Sequence, residues 1–147
     1  MKLRFLVPFL FALLLTACAG CAGSSVPTAP EGVTAQIDLT ALEVKDAYVE
    51  VCRMQVYTDR FVGKTVMARG AFRAVEDPAG DGYLFQCLVP DGNGCCNREL
   101  EFVLAGEHAY PADYPKTGAE IIVVGTLSTY TRNGSTYCTL TDAAMYT

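Results

Sequence analysis

Alternation at a period of two is the tightest constraint this sequence carries. In Gly94-Cys95-Cys96-Asn97-Arg98-Glu99-Leu100-Glu101-Phe102-Val103-Leu104, the residues Leu100, Phe102 and Leu104 alternate with Glu99, Glu101 and Val103. Successive side chains of a strand point to opposite faces, so this is a half-buried strand with Leu100, Phe102 and Leu104 inward. Carrying the parity backward turns Cys96 and Arg98 inward and Cys95 toward solvent. On that register Phe102→Asp should unfold the domain, whereas Glu101→Lys, on the outer face, should be nearly silent.

Other segments share the pattern. Arg60 to Ala74 reads as one long strand, with Gly70 marking a bulge or sharp coil. Tyr83 to Val89 follows a turn at Asp77–Gly82, and Pro90-Asp91-Gly92-Asn93-Gly94 turns the chain into the stretch above. Gly106 to Gly118, with Pro111 and Pro115, is a loop. Glu120 to Tyr130 and Thr136 to Thr141 are two further strands, joined through Arg132-Asn133-Gly134-Ser135, a strong hairpin signal. Ahead of them, Thr40 and Glu43 open a helix predicted over about 41–56, whose apolar face carries Ala47, Val51 and Cys52. The expected fold is mainly β: a five-stranded Greek-key barrel of OB type preceded by one N-terminal helix.

The first residues stand apart. Lys2 and Arg4 precede an apolar run from Phe5 to Leu15, which reads as an export signal over 1–17. Its end, Leu15-Thr16-Ala17-Cys18, resembles the lipobox of bacterial lipoproteins, which implies cleavage before Cys18 and acylation of that cysteine. A flexible tether over 18–38, rich in Ala, Gly, Ser, Pro and Thr, then leads to a domain over 39–147. The chain is expected in the bacterial cell envelope, outside the cytoplasm, held to a membrane by lipid. Removing Lys2 and Arg4 leaves nine cations against sixteen acids, a charge near −7 with no basic run, which disfavours nucleic acid.

Phe61-Val62-Gly63-Lys64-Thr65-Val66, followed by Gly70, resembles the opening of the first strand in many OB-fold modules. Gly125, within Val123-Val124-Gly125-Thr126-Leu127, is similar to their fourth strand. Together with Cys95-Cys96, Glu101-Phe102 and Tyr137-Cys138-Thr139-Leu140, the set resembles a group of small, uncharacterised bacterial lipoproteins. More distantly it resembles the soluble domain of a permease-partner family with a Cys-Cys pair after its second strand. The likeness spans roughly 58–145 and implies a fold more than a function.

Chemistry concentrates in sulfur. In the expected barrel, Cys87, Cys96 and Cys138 approach on neighbouring strands, with Cys95 beside them. One outcome is disulfides among Cys52, Cys87, Cys95, Cys96 and Cys138, which suit an exported domain. Another is zinc held by Cys87, Cys95, Cys96 and Cys138, although Cys-x7-Cys-Cys is not a standard zinc spacing. The third is free or redox-active thiols, for which no matched base is in view: His108, the one histidine, lies in the polar 106–118 loop. Asp77, Asp91 and Asn93 sit in turns that already favour them. Tyr83, Phe85, Arg98, Tyr110 and Tyr114 form the candidate binding face, for an envelope protein or a small ligand. A binding module is thus expected before a metal module, and a thiol enzyme last.

Overall fold

The alternating segments form strands, and one closes the sequence of pairings on itself. A computed structural model describes residues 26–80 and 82–147. Within them lie β1 (Ile37–Asp38), α1 (Val44–Val56), β2 (Thr65–Glu76), β3 (Tyr83–Pro90), β4 (Asn97–Leu104), β5 (Glu120–Arg132) and β6 (Ser135–Tyr146). Short 3-10 turns occupy Leu39–Ala41 and Thr58–Arg60. The strands make one mixed sheet in the order β1-β2-β3-β4-β6-β5, and β2 pairs with β5 as well. Hydrogen bonds therefore run in a ring through five strands. The β4–β6 and β1–β2 pairs are parallel and the other pairs are antiparallel.

Closure depends on β2 serving two neighbours. Its first part, Thr65 to Ala71, pairs with β5, and its second, Ala71 to Glu76, pairs with β3. Gly70 sits at the handover, where a Cβ would lie 2.3 Å from the carbonyl oxygen of Leu88. The strands approach too closely there for any side chain, and neither pairing of β2 shifts register at Gly70, so the glycine marks a close contact and not a bulge. At the opposite hairpin, Asn133 and Gly134 take φ of 51° and 77°, the left-handed pair a tight two-residue turn requires.

The register stacks the core in layers. Phe72 lies opposite Cys87, which lies opposite Leu100; one step along, Phe85, Phe102, Leu140 and Leu127 follow one another across four strands. Leu100, Phe102, Leu140 and Leu127 are all buried, as the alternation requires, and Leu104 packs against them. Helix α1 packs across β3 and β4, burying Ala47, Val51 and Met54 at the i, i+4, i+7 spacing of one helical face. No helix among the described residues is long and apolar enough to cross a membrane.

Local departures have local causes. The helix begins at Val44, not near Ala41, because Asp38 accepts a bond from Thr40 N and caps a 3-10 turn first; Thr40 therefore caps nothing. The end of the tether is tied down: Gln36 and Thr65 exchange two hydrogen bonds, and Ile37–Asp38 pair with β2. Cys96 does not turn inward. It lies ahead of β4, in the loop, where strand parity no longer applies, and it is exposed. Arg98 is exposed too, its guanidinium reaching α1 at Cys52 (3.1 Å) and the Tyr48 ring. Cys18 and Cys21 lie outside the described residues.

Candidate functional site

The loop between β3 and β4 is folded by its own backbone. Pro90 ends β3, and Gly92 and Gly94 take φ of 80° and 77°, which favour glycine over any residue with a Cβ. Asp91 Oδ1 accepts from the amides of Asn93 (2.9 Å) and Gly94 (3.0 Å), and the Asp91 amide donates to Cys96 O at 3.0 Å. This leaves Oδ2 free of the turn, and the Cys95 thiol donates to it at 2.9 Å. Cys96 Sγ lies 3.4 Å from Cys95 Sγ. One oxygen and two sulfurs, from Asp91, Cys95 and Cys96, thus fall within 4.8 Å of one another, and both cysteines are exposed.

The protonation of the pair follows from that bond. The S–H···O contact stabilises a neutral thiol beside an ionised carboxylate. Cys95 is pushed up to about 12, chiefly by Asp91 and then by Cys96, and Asp91 is held below the usual carboxylate range by the thiol. Elsewhere burial does the same work. Cys87 is pushed up to about 12, and Cys138 is raised. A nucleophilic or redox-active thiol needs a depressed value, the opposite of what these three show.

The five described cysteines are free, with no pair at disulfide distance. The expected convergence of sulfur fails because the donors occupy different layers of the molecule. Cys87 is fully buried between Phe72 and Leu100. Cys138 lies half-buried on β6, lining a recess with Glu101, Arg132 and Tyr137. Cys52 is on α1, accepting from Arg98. Neither Cys87 nor Cys138 belongs to the group formed by Cys95 and Cys96, so the four-thiolate zinc site is not assembled. Asp91 takes its place as the third donor. In the sequence it reads only as a turn residue; the signal was a carboxylate four positions ahead of Cys95, across two glycines.

The aromatic residues do gather, without Arg98. Tyr83 tilts against Tyr110 (4.4 Å between ring centroids), Phe85 stacks on Tyr114 (4.0 Å), and Tyr114 stacks near the core ring of Phe72 (5.8 Å). Their faces are spent on one another, pinning the 106–118 loop to the core. The cleft left beside them is about 260 Å³ and includes His108, which contacts Ala105 O at 3.0 Å.

A larger cleft, about 410 Å³, lies between the residues leading into α1 and strands β2 and β3. Leu39, Leu42, Val44 and Val89 give it apolar walls, with Arg69 and Glu120 at the side. Arg69 Nε is buried and makes no hydrogen bond among the described residues; Glu120 Oε1 stays 3.9 Å away. On another surface, Arg53, Arg60 and Lys64 come together around Tyr57 and Phe61, a basic patch the linear sequence conceals. No family model, curated protein or solved structure matches the chain.

Proposed function

We propose that the chain is a lipid-anchored, OB-type binding module that takes a small amphipathic ligand with an anionic or acceptor group. The observation that carries this reading is the 410 Å³ cleft, apolar on its walls, with the Arg69 guanidinium at its side, whose Nε makes no hydrogen bond among the described residues and stands 3.9 Å from Glu120. Its size falls in the usual range for ligand pockets, and a few polar groups in an apolar setting are what fix a ligand's orientation. The Arg69 side chain is partly exposed although its Nε is not, so the guanidinium offers its outer N–H groups to a ligand oxygen in the cleft. The OB reading is supported by the strand order. Counting the five ring strands along the chain, the first pairs with the second and fourth, and the third runs parallel to the fifth. The resemblance to small envelope lipoproteins supports the anchor at Cys18. The patch of Arg53, Arg60 and Lys64, flanked by exposed Val56 and Tyr57, suits an anionic headgroup surface beside it.

Anilinonaphthalene sulfonate, an apolar body with one anionic group, tests the cleft. Saturable binding at one site, abolished by Val44→Trp and weakened by Arg69→Gln, is the expected result. Binding that ignores both substitutions overturns the assignment. Separately, Cys18→Ser should release the protein from the membrane fraction; retention there would overturn the anchor.

A further inference from the structure

From the three donors of the β3–β4 loop we infer a binding site for a thiophilic d10 cation, such as zinc(II), held by Asp91 Oδ2, Cys95 Sγ and Cys96 Sγ. The donors are two sulfurs 3.4 Å apart and an oxygen 2.9 Å from one of them. With zinc–sulfur bonds of about 2.3 Å and a tetrahedral angle, two ligating sulfurs stand roughly 3.8 Å apart. The two sulfurs therefore have to separate by a few tenths of an ångström, and all three ligands lie in the loop between β3 and β4.

Three features favour a cation there. Asp91 Oδ1 is committed to the amides of Asn93 and Gly94, so the turn persists while Oδ2 changes partner. The Asp91 amide and Cys96 carbonyl tie the two ends of the loop together, so both sulfurs are presented from one closed turn. The nearest cation along the chain, Arg98, is directed away, onto Cys52 and Tyr48.

The donor chemistry selects the ion. Thiolates favour soft and borderline metals, and a single carboxylate oxygen is too few for calcium or magnesium. Three protein ligands on an exposed loop leave one coordination position open, in contrast to the closed four-ligand shell of structural zinc. A site of that kind takes up an ion and passes it on, or presents it to a donor from another molecule. Binding replaces the thiol protons with the metal, so protons leave as the ion enters. The site is separate from the proposed cleft and stands or falls without it.

The full chain, kept reduced, should be titrated with zinc(II) against a chromophoric chelator, and with cadmium(II) while following the ultraviolet thiolate-to-metal band. One equivalent should bind, and calcium should not compete. Cys95→Ser and Cys96→Ser should each weaken binding by at least about tenfold, since even outer-shell changes cost 10–100-fold at metal sites. Asp91→Asn keeps the acceptor for the turn and loses the anionic ligand, so it should weaken binding without altering the melting temperature. Cys21→Ser, Cys52→Ser, Cys87→Ser and Cys138→Ser should leave affinity unchanged. No uptake, uptake indifferent to Cys95→Ser and Cys96→Ser, or equal competition by calcium overturns the site.

Discussion

Two loops of similar exposure are built on opposite plans. The 106–118 loop lies against the sheet through rings: Tyr114 stacks on Phe85, Tyr110 tilts against Phe85, and Phe85 and Tyr114 stack on Phe72. Its shape is set by what its side chains bury. The 91–96 loop is set by backbone bonds to one carboxylate oxygen, and its sulfurs are left facing solvent. Side chains that determine a loop's conformation are unavailable for other contacts. A loop closed by its own amides leaves its side chains uncommitted, which is why the conspicuous aromatic residues pack against the core while Cys95 and Cys96 stay exposed.

The contrast breaks most visibly in the core beneath the aromatic loop. Phe102→Asp removes a fully buried ring and leaves a charge in its place. A loss above about 5 kcal/mol is expected, enough to abolish the cooperative thermal transition; a melting curve close to wild type would refute the register of β4. Tyr114→Ala comes next, at about 2 kcal/mol for a half-buried ring with four aromatic neighbours, measured by urea unfolding.

Glu101→Lys should cost about 1–2 kcal/mol, which corrects the expectation that it is silent. Glu101 is on the outer face but half-buried. It accepts from Tyr130 OH at 3.0 Å and feels the charge of Arg132, so a lysine loses the bond and meets a like charge. Burial raises the carboxyl, with Tyr130 and Arg132 opposing it. Equal melting of the variant and wild type would remove that correction. The smallest effect belongs to the thiol loop. Cys95→Ser with Cys96→Ser should change stability by less than about 0.5 kcal/mol; a larger loss by denaturant titration would mean the sulfurs, too, are structural.

Much of the fold was legible because alternation speaks directly of faces. Leu100 and Phe102 are buried as their period demands, and Asn133-Gly134 turns the hairpin it announces. Alternation is silent about the ends of elements. Cys96 and Arg98 escape the inward parity, one because the strand begins after it and the other because its long side chain reaches α1. It is equally silent about which layer a residue joins. Cys87, Cys96 and Cys138 lie on or beside neighbouring strands, yet one is core, one is loop and one is half-exposed. Asp91 became a ligand candidate only when the turn showed which oxygen it had left over. The cleft at Leu39, Leu42 and Val44 depends on how the residues before α1 cross β2 and β3, a tertiary matter no local pattern encodes.

The burial of Cys87 makes it an internal clock. A thiol-trapping reagent in water reaches Cys95 and Cys96 without any opening of the fold, whereas Cys87, with no exposed surface, is reached only when β2, β3 and β4 come apart. The slow phase of alkylation would then time the opening of the strand ring itself, without any probe having to be introduced.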